Sequence, residues 1–339
     1  LGPEPIMKTE ALWYLGERKL ELRPVDLPDP EANEVLVEME ACGICGWDLL
    51  AYSGRFGKFH EYPFRAGHEG VGRIAKVGSL VRDLAVGRRV VCHELPIGER
   101  GGGLMARHAV RTREKVTPIP DEPSLPARLW LVEPVACVVN GIEYAGIRPG
   151  DSVALVGAGY MGLLMLQLLR RTLAGRVTVF EPDPRRLELA RTFGRGMGGW
   201  DYVPDGSTVL QDRARSYDVV LETAGIPATL ELAFALAKPF AIIENFAWHH
   251  HRMDFDLDEW HTKGWRILNI QPQMNPSFDS LFPRTVALMA AGAVTNEGLL
   301  THTEPVENAR AAYEAGLDRT GGYIKGAILF SAGSARTDR

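Results

Sequence analysis

The sequence has few cysteines, no excess of basic residues and no apolar run as long as a membrane span. Four cysteines in 339 residues, without a recognisable signal peptide, favour reduced thiols or metal ligands over a disulfide framework. A net charge of -5 does not provide the basic surface to which nucleic acids bind. We therefore expect a cytoplasmic protein with no nucleic-acid partner and no membrane partner.

Internal repeats and low-complexity segments are also missing, and the composition is that of an ordinary globular protein. Hydrophobic residues make up 45% of the chain and charged residues 24%. The length is enough for about two domains. Leu1 to Ile6 precede Met7, which looks like a natural start, so they are left out of the fold prediction.

The spacing of apolar residues changes along the chain and predicts two kinds of structure. From Met7 to Val110, short alternating runs separated by Pro and Gly predict a compact, barrel-like β domain. From Asp151 onward, strands alternate with helices, which predicts a doubly wound parallel sheet with helices on both faces. The predicted strands are 34–39, 71–77, 89–92, 153–156, 177–180, 219–222, 241–246, 266–270 and 327–330, and the predicted helices are 127–144, 162–171, 184–192, 228–237, 279–292 and 307–316.

A glycine turn joins the first strand of the predicted parallel sheet to a helix. Gly157, Gly159 and Gly162 have the spacing G-x-G-x-x-G, and Tyr160 and Met161 complete the turn. The first glycine permits the sharp turn, the second lets the backbone approach a pyrophosphate, and the third lets the helix pack on the strand. Because a strand precedes the turn and a helix follows it, we predict dinucleotide binding here.

The type of dinucleotide is predicted from the end of the next strand. Glu181 lies where a carboxylate can bond to the ribose hydroxyls and repel a 2′-phosphate, which favours NAD over NADP. Pro182 and Asp183 follow it, whereas NADP-binding proteins usually have a basic residue there. Arg185 and Arg186 follow slightly later, and as basic residues they favour NADP instead. Arg186 is included among the predicted cofactor-binding residues, and the alternative is that both arginines lie on a solvated helix face.

Soft and acidic side chains occur in three segments before the glycine turn, namely 41–48, 67–72 and 133–137. A catalytic zinc ion needs about three protein ligands from Cys, His and carboxylate groups, with one position left open. Cys45, His68 and either Glu133 or Cys137 would supply that set. Cys42 and Cys45 form a C-x-x-C, which could also be redox-active, but no second C-x-x-C completes a four-cysteine structural site.

Four motifs occur in the order G-I-C-G-x-D, G-H-E-x-x-G, E-P-x-x-C and G-x-G-x-x-G. In this order and spacing the chain resembles the zinc-dependent alcohol, polyol and sugar dehydrogenases of the medium-chain superfamily, including the sorbitol dehydrogenase branch. The resemblance covers nearly all of Met7 to Phe330. It implies an α/β protein with a GroES-like β-barrel catalytic domain (7–139 and 271–339) and a Rossmann dinucleotide-binding domain (140–270).

The resemblance also implies the metal ligands. Cys45 and His68 are expected to bind one catalytic zinc ion, and Glu69 is expected to be a ligand or a carboxylate beside the ligands. Cys137 corresponds to the third ligand of the alcohol dehydrogenases, and Glu133 to a glutamate of the sorbitol and glucose dehydrogenases. Glu133 is favoured slightly. Segment 94–104 lacks the four closely spaced cysteines of relatives with a structural zinc, so no structural zinc is expected.

Trp47 departs from the family pattern. Relatives usually have Ser or Thr there, and its hydroxyl passes the substrate's proton outward, whereas an indole N–H donates but does not accept. The histidine that some relatives use slightly later is Leu50 here. Three interpretations are open. In the first, Trp47 simply narrows the substrate pocket, and in the second a different group, such as Glu69, Glu133 or bound water, moves the proton. The third is that the reaction is not simple alcohol oxidation. Cys42 and Cys92 are expected to be small buried residues.

Together these features predict hydride transfer between NAD and a secondary alcohol of a polar, hydroxylated small molecule. Aromatic and histidine residues in segments 247–252 and 260–265, together with Trp47, suit a polyol, sugar or cyclitol, and one of the histidines 249–251 is a candidate substrate contact. One alternative keeps NAD but catalyses elimination or epimerisation without net redox. Another is a non-enzymatic nucleotide-binding protein. By resemblance, a homodimer or homotetramer is expected.

Overall fold

The computed structural model describes residues 6–55, 61–93, 102–120, 125–204 and 213–330. The chain forms two compact units, and each is described separately below. The first consists of Leu1–Glu133, Phe282–Ala290 and Thr295–Arg339, and the second of Pro134–Leu281 and Ala291–Val294. The bounds of the two functional domains predicted above stay a prediction.

The strands of the described residues are β1 (Ile6–Gly16), β2 (Lys19–Pro28), β3 (Glu34–Ile44), β4 (Phe64–Arg65), β5 (Glu69–Val77), β6 (Arg89–Cys92), β7 (His108–Thr112), β8 (Val116–Pro118), β9 (Ser152–Val156), β10 (Arg176–Phe180), β11 (Trp200–Val203), β12 (Tyr217–Glu222), β13 (Ala237–Asn245), β14 (Arg266–Asn269), β15 (Leu300–Pro305) and β16 (Lys325–Leu329). The helices are α1 (Gly46–Tyr52), α2 (Val132–Ala145), α3 (Tyr160–Leu169), α4 (Pro184–Phe193), α5 (Pro227–Leu236), α6 (Leu257–Lys263), α7 (Leu281–Ala290) and α8 (Ala309–Asp318).

The first unit is built on a largely antiparallel sheet with the strand order β15-β16-β3-β5-β6-β8, and β7 also pairs with β3. A smaller sheet has the order β2-β1-β4. Buried side chains of β3 and β5, such as Val37, Met39 and Ile74, form the core together with Tyr313 of α8. Strand β16 is antiparallel to β3, with Ile328 opposite Cys42. The end of the described chain therefore lies in the same sheet as the segment that carries Cys42.

The second unit contains a parallel sheet with the order β11-β10-β9-β12-β13-β14. Every residue of β9 is buried, as expected for a strand with helices on both faces of its sheet. The predicted alternation of strands and helices is confirmed. Strand β9 lies between β10 and β12, so the strands that follow it in the chain are placed first on one side of β9 and then on the other. Dinucleotides bind at the carboxyl ends of the strands at such a reversal of the strand order.

The predicted helix 127–144 is wrong at its beginning. Helix α2 begins at Val132, after a short 3-10 turn over Ala127–Leu129. The side-chain amide of Asn296 donates to the backbone oxygens of Leu129 (2.9 Å) and Leu131 (3.2 Å). These carbonyls are satisfied by a residue that is distant in sequence, so the backbone does not need helical hydrogen bonds here.

Helices α1 and α6 were not predicted, because each has seven residues and too few turns for a clear apolar period. Both begin at a side-chain cap, which is Cys45 in α1 and Asp256 in α6, and α6 ends at Gly264 in the left-handed conformation (φ 61°). Among the described helices, none has the length and apolar character required to cross a bilayer.

Candidate metal centre and dinucleotide-binding turn

Cys45 lies between β3 and α1 and caps the helix. Its Sγ accepts a hydrogen bond from the backbone N–H of Trp47 (3.1 Å). The Asp48 carboxylate accepts one from the backbone N–H of Cys45 (2.9 Å), which completes a reciprocal cap. The motif G-I-C-G-x-D therefore fixes the direction of the Cys45 thiol through its own backbone.

The structure brings four of the predicted ligands into one cluster in the first unit. His68 directly precedes β5, Glu69 is the first residue of β5, Glu133 lies in the first turn of α2, and all three are buried. The ligand atoms of His68, Glu69 and Glu133 are all within 4.8 Å of one another, and so are those of Cys45, Asp48 and His68. His68 belongs to both groups and joins them.

Asp48 was seen in the sequence as part of a motif, but its role was not predicted. It is fully buried, and its Oδ2 lies 3.8 Å from Nδ1 of His68. Its Oδ1 accepts a hydrogen bond from the hydroxyl of Tyr14 (2.7 Å), and that hydroxyl lies 2.8 Å from the hydroxyl of Tyr313. No sequence signal connects β1, α1 and α8, so the two tyrosines could not have been found without the structure.

Lys325 was also missed by the sequence analysis. It is buried on β16, and its Nζ lies 2.6 Å from each carboxylate oxygen of Glu69, although only Oε1 accepts a good hydrogen bond. Burial alone would lower the pKa of Lys325, but the charges of Glu69 and Cys45 raise it above its usual value. The ion pair therefore holds Glu69 in place, and Oε2, which accepts no hydrogen bond of good geometry from the described residues, can accept a further interaction.

Gly43 on β3 makes room for Glu69. A Cβ at this position would collide with the Glu69 carboxylate and lie 2.9 Å from Cδ1 of Leu131. Only glycine fits here without moving the carboxylate. The first glycine of G-I-C-G-x-D is thus explained by the close approach of an acidic side chain.

The charges of the cluster suit a divalent cation. Burial disfavours the imidazolium of His68, but Cys45, Asp48 and Glu133 together raise the pKa of His68 well above its usual value. Burial raises the pKa of the Cys45 thiol, an effect that His68 opposes. Sulfur, imidazole and carboxylate are the ligands that zinc prefers, and a bound metal ion deprotonates a coordinating thiol. The residues present therefore fit a zinc ion.

Trp47 packs beside the cluster rather than away from it. Its ring meets the ring of His68 edge to face, with the centroids 5.7 Å apart, and lies 6.0 Å from the ring of Phe64 and 6.5 Å from that of Tyr14. Such edge-to-face pairs hold an aromatic side chain in one orientation. The indole is thus a fixed wall next to the imidazole.

The remaining cysteines differ in burial. Cys42 and Cys92 are fully buried, as predicted, and burial raises the pKa of the Cys92 thiol to about 11. Cys137 is half-buried on the part of α2 that belongs to the second unit. It is in neither of the two ligand groups found among the described residues.

Segment 94–101, which contributes to the prediction of no structural zinc, lies outside the described residues, so that prediction stays open.

The glycine turn between β9 and α3 has the shape that its spacing predicts. Gly157 has φ +99°, a conformation that favours glycine. A Cβ on Gly162 would collide with the backbone oxygen of Gly157, so the third glycine lets α3 pack onto the end of β9. Gly159 caps α3, Tyr160 is buried in its first turn, and Met161 is half-buried.

Glu181 is buried and bonded to the glycine turn. Its Oε2 accepts a hydrogen bond from the backbone N–H of Ala158 (2.7 Å), and its Oε1 accepts one from Asp183 (2.9 Å). Arg185 is exposed and forms an ion pair with Asp183 (3.1 Å), whereas Arg186 is half-buried on α4. A carboxylate has about four acceptor positions, so Glu181 can brace the turn and still bind hydroxyls.

Comparisons with known proteins agree with this picture. The family model of the alcohol dehydrogenase GroES-like domain matches residues 31–121. Sorbitol dehydrogenase from Bacillus subtilis (strain 168) is 32% identical over 260 aligned positions, and the match covers 68% of this chain and 72% of the relative. D-arabinitol dehydrogenase 1 from Uromyces fabae is 27% identical over 341 aligned positions, and the match covers 91% of this chain and 93% of the relative.

Among solved structures, a protein described as a zinc-binding dehydrogenase from Sinorhizobium meliloti 1021, bound to NADP, matches with a TM-score of 0.82. The identity is 24%, and the match covers 95% of this chain and 99% of that chain. The fold class expected from the sequence, a GroES-like β domain together with a Rossmann domain, is confirmed. The chain belongs to the medium-chain dehydrogenase/reductase superfamily and, within it, to the zinc-dependent alcohol and polyol dehydrogenases.

Proposed function

We propose that this dehydrogenase oxidises a secondary alcohol of a polyol, or of a related sugar or cyclitol, and transfers the hydride to NAD. The observation that carries the proposal is the cluster formed by half-buried Cys45 and the buried residues His68, Glu69 and Glu133. The relatives named for sorbitol and D-arabinitol support the choice of a polyhydroxylated substrate. They give no support to elimination, epimerisation or a non-enzymatic role.

One catalytic zinc ion would be held by Cys45 and His68, with Glu133 as the favoured further ligand. Zinc supplies Lewis acidity that lowers the pKa of a substrate hydroxyl. Asp48 orients this set, because it accepts from the backbone of Cys45 and lies beside His68. Lys325 pairs with Glu69 and holds its carboxylate beside the cluster.

The proton of the substrate hydroxyl must leave without a hydroxyl side chain at position 47. Glu69 already shares its charge with Lys325 at 2.6 Å, and taking a proton would break that buried ion pair. The Glu133 carboxylate is buried in the same cluster, with its ligand atom within 4.8 Å of those of His68 and Glu69. We therefore assign the proton to the Glu133 carboxylate or to water bound beside it, with Trp47 as a wall of the substrate site.

We assign NAD as the cofactor because Glu181 would repel a 2′-phosphate at the end of β10. The guanidinium of Arg185, a candidate partner for that phosphate, is already paired with Asp183. The residues Gly157, Gly159 and Glu181 would bind the pyrophosphate and the adenosine ribose. The similar structure from Sinorhizobium meliloti holds NADP, so the assignment of NAD is tested by comparing the affinities of this protein for NADH and NADPH.

We also propose that two copies of the chain pair through the edge of the parallel sheet. Strand β14 is at that edge, and its outer side has no partner strand among the described residues. An unpaired edge is a ready site for strand pairing between two chains. Light scattering coupled to size exclusion should give the mass of a dimer or tetramer, and the mass of one chain would reject this proposal.

The function is tested with zinc-loaded protein and a panel of polyols, sugars, cyclitols and simple alcohols, using NAD and NADP separately. We expect NADH to accumulate with a polyhydroxylated substrate. The zinc content of the variants Glu133→Gln and Cys137→Ser is then compared. The variant that loses zinc identifies which of the two residues is the further ligand. Accumulation of NADH with no member of the panel, despite bound zinc, would reject the proposed reaction.

A further inference from the structure

A second buried acidic residue lies in the nucleotide-binding unit, at the carboxyl end of β12. Glu222 is fully buried. Its Oε1 accepts hydrogen bonds from the backbone N–H groups of Ala224 and Gly225 (2.9 Å each) and from the hydroxyl of Thr229 (2.7 Å). One oxygen of this carboxylate therefore holds the whole loop that follows β12.

The other oxygen of Glu222 is bonded to a histidine. Oε2 lies 2.9 Å from Nε2 of His249, in the segment that follows β13, and the His249 side chain is 9% exposed. A carboxylate only accepts, so the proton is on Nε2 of His249. Of the three consecutive histidines, His250 and His251 are exposed. The structure thus singles out His249, and this pair joins the ends of β12 and β13.

The loop held by Glu222 packs directly on the glycine turn. The hydroxyl of Thr223 donates to the backbone oxygens of Val156 (3.0 Å) and Gly157 (2.9 Å). A Cβ placed on Gly157 would lie 3.0 Å from Cβ of Ala224. Since β12 is next to β9, this loop lies at the point in the strand order where dinucleotides bind. A shift of the loop would therefore move the backbone of the turn.

We propose that His249 is a positioning residue for dinucleotide binding. By donating a hydrogen bond from Nε2 to Glu222, it keeps the Ala224–Gly225 loop in place against the glycine turn. Without that donor, Oε2 of Glu222 would be a buried and unpaired charged acceptor, which is costly, and the carboxylate would turn toward other donors. The proposal rests on the proposed dinucleotide function and adds a residue that the G-x-G-x-x-G motif does not contain.

Three substitutions at one position separate this role from simple packing. His249→Gln keeps an N–H donor close to the position of Nε2, whereas His249→Asn is too short to reach Glu222 and His249→Leu has no donor. His251→Leu is the matched control, because His251 is exposed and two residues away. All are made in the full-length protein, with zinc content and thermal midpoint measured alongside binding.

The readout is the dissociation constant of NADH, measured by fluorescence titration in the absence of substrate. We expect His249→Leu and His249→Asn to raise it about tenfold, because a hydrogen bond to a charged group is lost. His249→Gln should stay within about twofold of the wild type, as should His251→Leu. Zinc content should be unchanged in all four. Rescue by Gln but not by Asn is a result that loss of packing would not produce.

Each outcome decides a definite point. Equal NADH affinity in all variants, with binding by the wild type, would overturn the role of His249 alone. Weak binding by His249→Gln, as weak as that of His249→Leu, would overturn the donor role. Failure of the wild type to bind either NADH or NADPH would overturn the proposed function, and this inference with it.

Discussion

Glu244 on β13 gives the most quantitative prediction. The side chain is fully buried, and neither carboxylate oxygen has a hydrogen-bond partner among the described residues. Its Oε1 points toward α2, where a Cβ on Gly141 would lie 2.7 Å away. Burial raises the pKa of Glu244 from 4.5 to about 8. The acid is therefore expected to be neutral in the folded protein at pH 7.

This pKa shift makes the free energy of unfolding depend on pH. Between pH 4.5 and pH 8 the folded chain keeps a proton that the unfolded chain releases, so stability falls as pH rises through this window and is level above it. One pKa unit corresponds to about 1.4 kcal/mol. The loss due to Glu244 is then about 2 kcal/mol at pH 6 and about 4 kcal/mol at pH 7.5.

Glu244→Gln removes the charge and keeps the shape. Relative to the wild type, we expect little difference near pH 4.5 and a gain in stability that grows to about 4 kcal/mol at pH 7.5. Urea unfolding at a series of pH values measures this difference. Glu231→Gln is the control, because Glu231 is exposed on α5 of the same unit. A stability difference that does not change between pH 5 and pH 8 would refute the reasoning.

Three further substitutions test the two sites. Gly43→Ala should displace the Glu69 carboxylate, lower stability by about 1–3 kcal/mol and reduce zinc content, and full zinc occupancy in this variant would contradict the close-approach argument. Lys325→Met should lower the free energy of unfolding by about 3–5 kcal/mol, because it leaves Glu69 as a buried unpaired charge, and a double variant with Glu69→Gln should recover most of this loss. Glu181→Ala should weaken NADH binding, since the bond to Ala158 is lost, and should narrow the preference for NADH over NADPH; an unchanged ratio of the two affinities would argue against discrimination by Glu181.

The sequence was sufficient to predict the parallel sheet and its glycine turn, because both depend on local patterns. The apolar run of β9, the glycines and the helix α3 are consecutive in the chain. The start of α2 was wrong because it depends on Asn296, which bonds to Leu129 across 167 residues. Such a contact leaves no mark in the local spacing of apolar residues.

The same distinction applies to the metal centre. The resemblance to a known family was enough to propose Cys45, His68, Glu69 and Glu133, since the motifs contain them. Lys325 could not be predicted, because it reaches Glu69 across 256 residues and nothing near it in sequence signals a buried cation. The histidine cluster was visible in the sequence, but burial and the contact with Glu222 were needed to single out one member.

The central claim is that zinc held by Cys45 and His68 supports oxidation of a polyol by NAD. The most direct measurement is the rate of NADH formation with a polyol substrate, before and after removal of metal by a chelator and again after addition of zinc. We predict that the rate falls to background without metal and recovers with zinc, and that Cys45→Ser, which changes the thiolate ligand, stays at background throughout. A rate that is unchanged by removal of the metal would contradict the account.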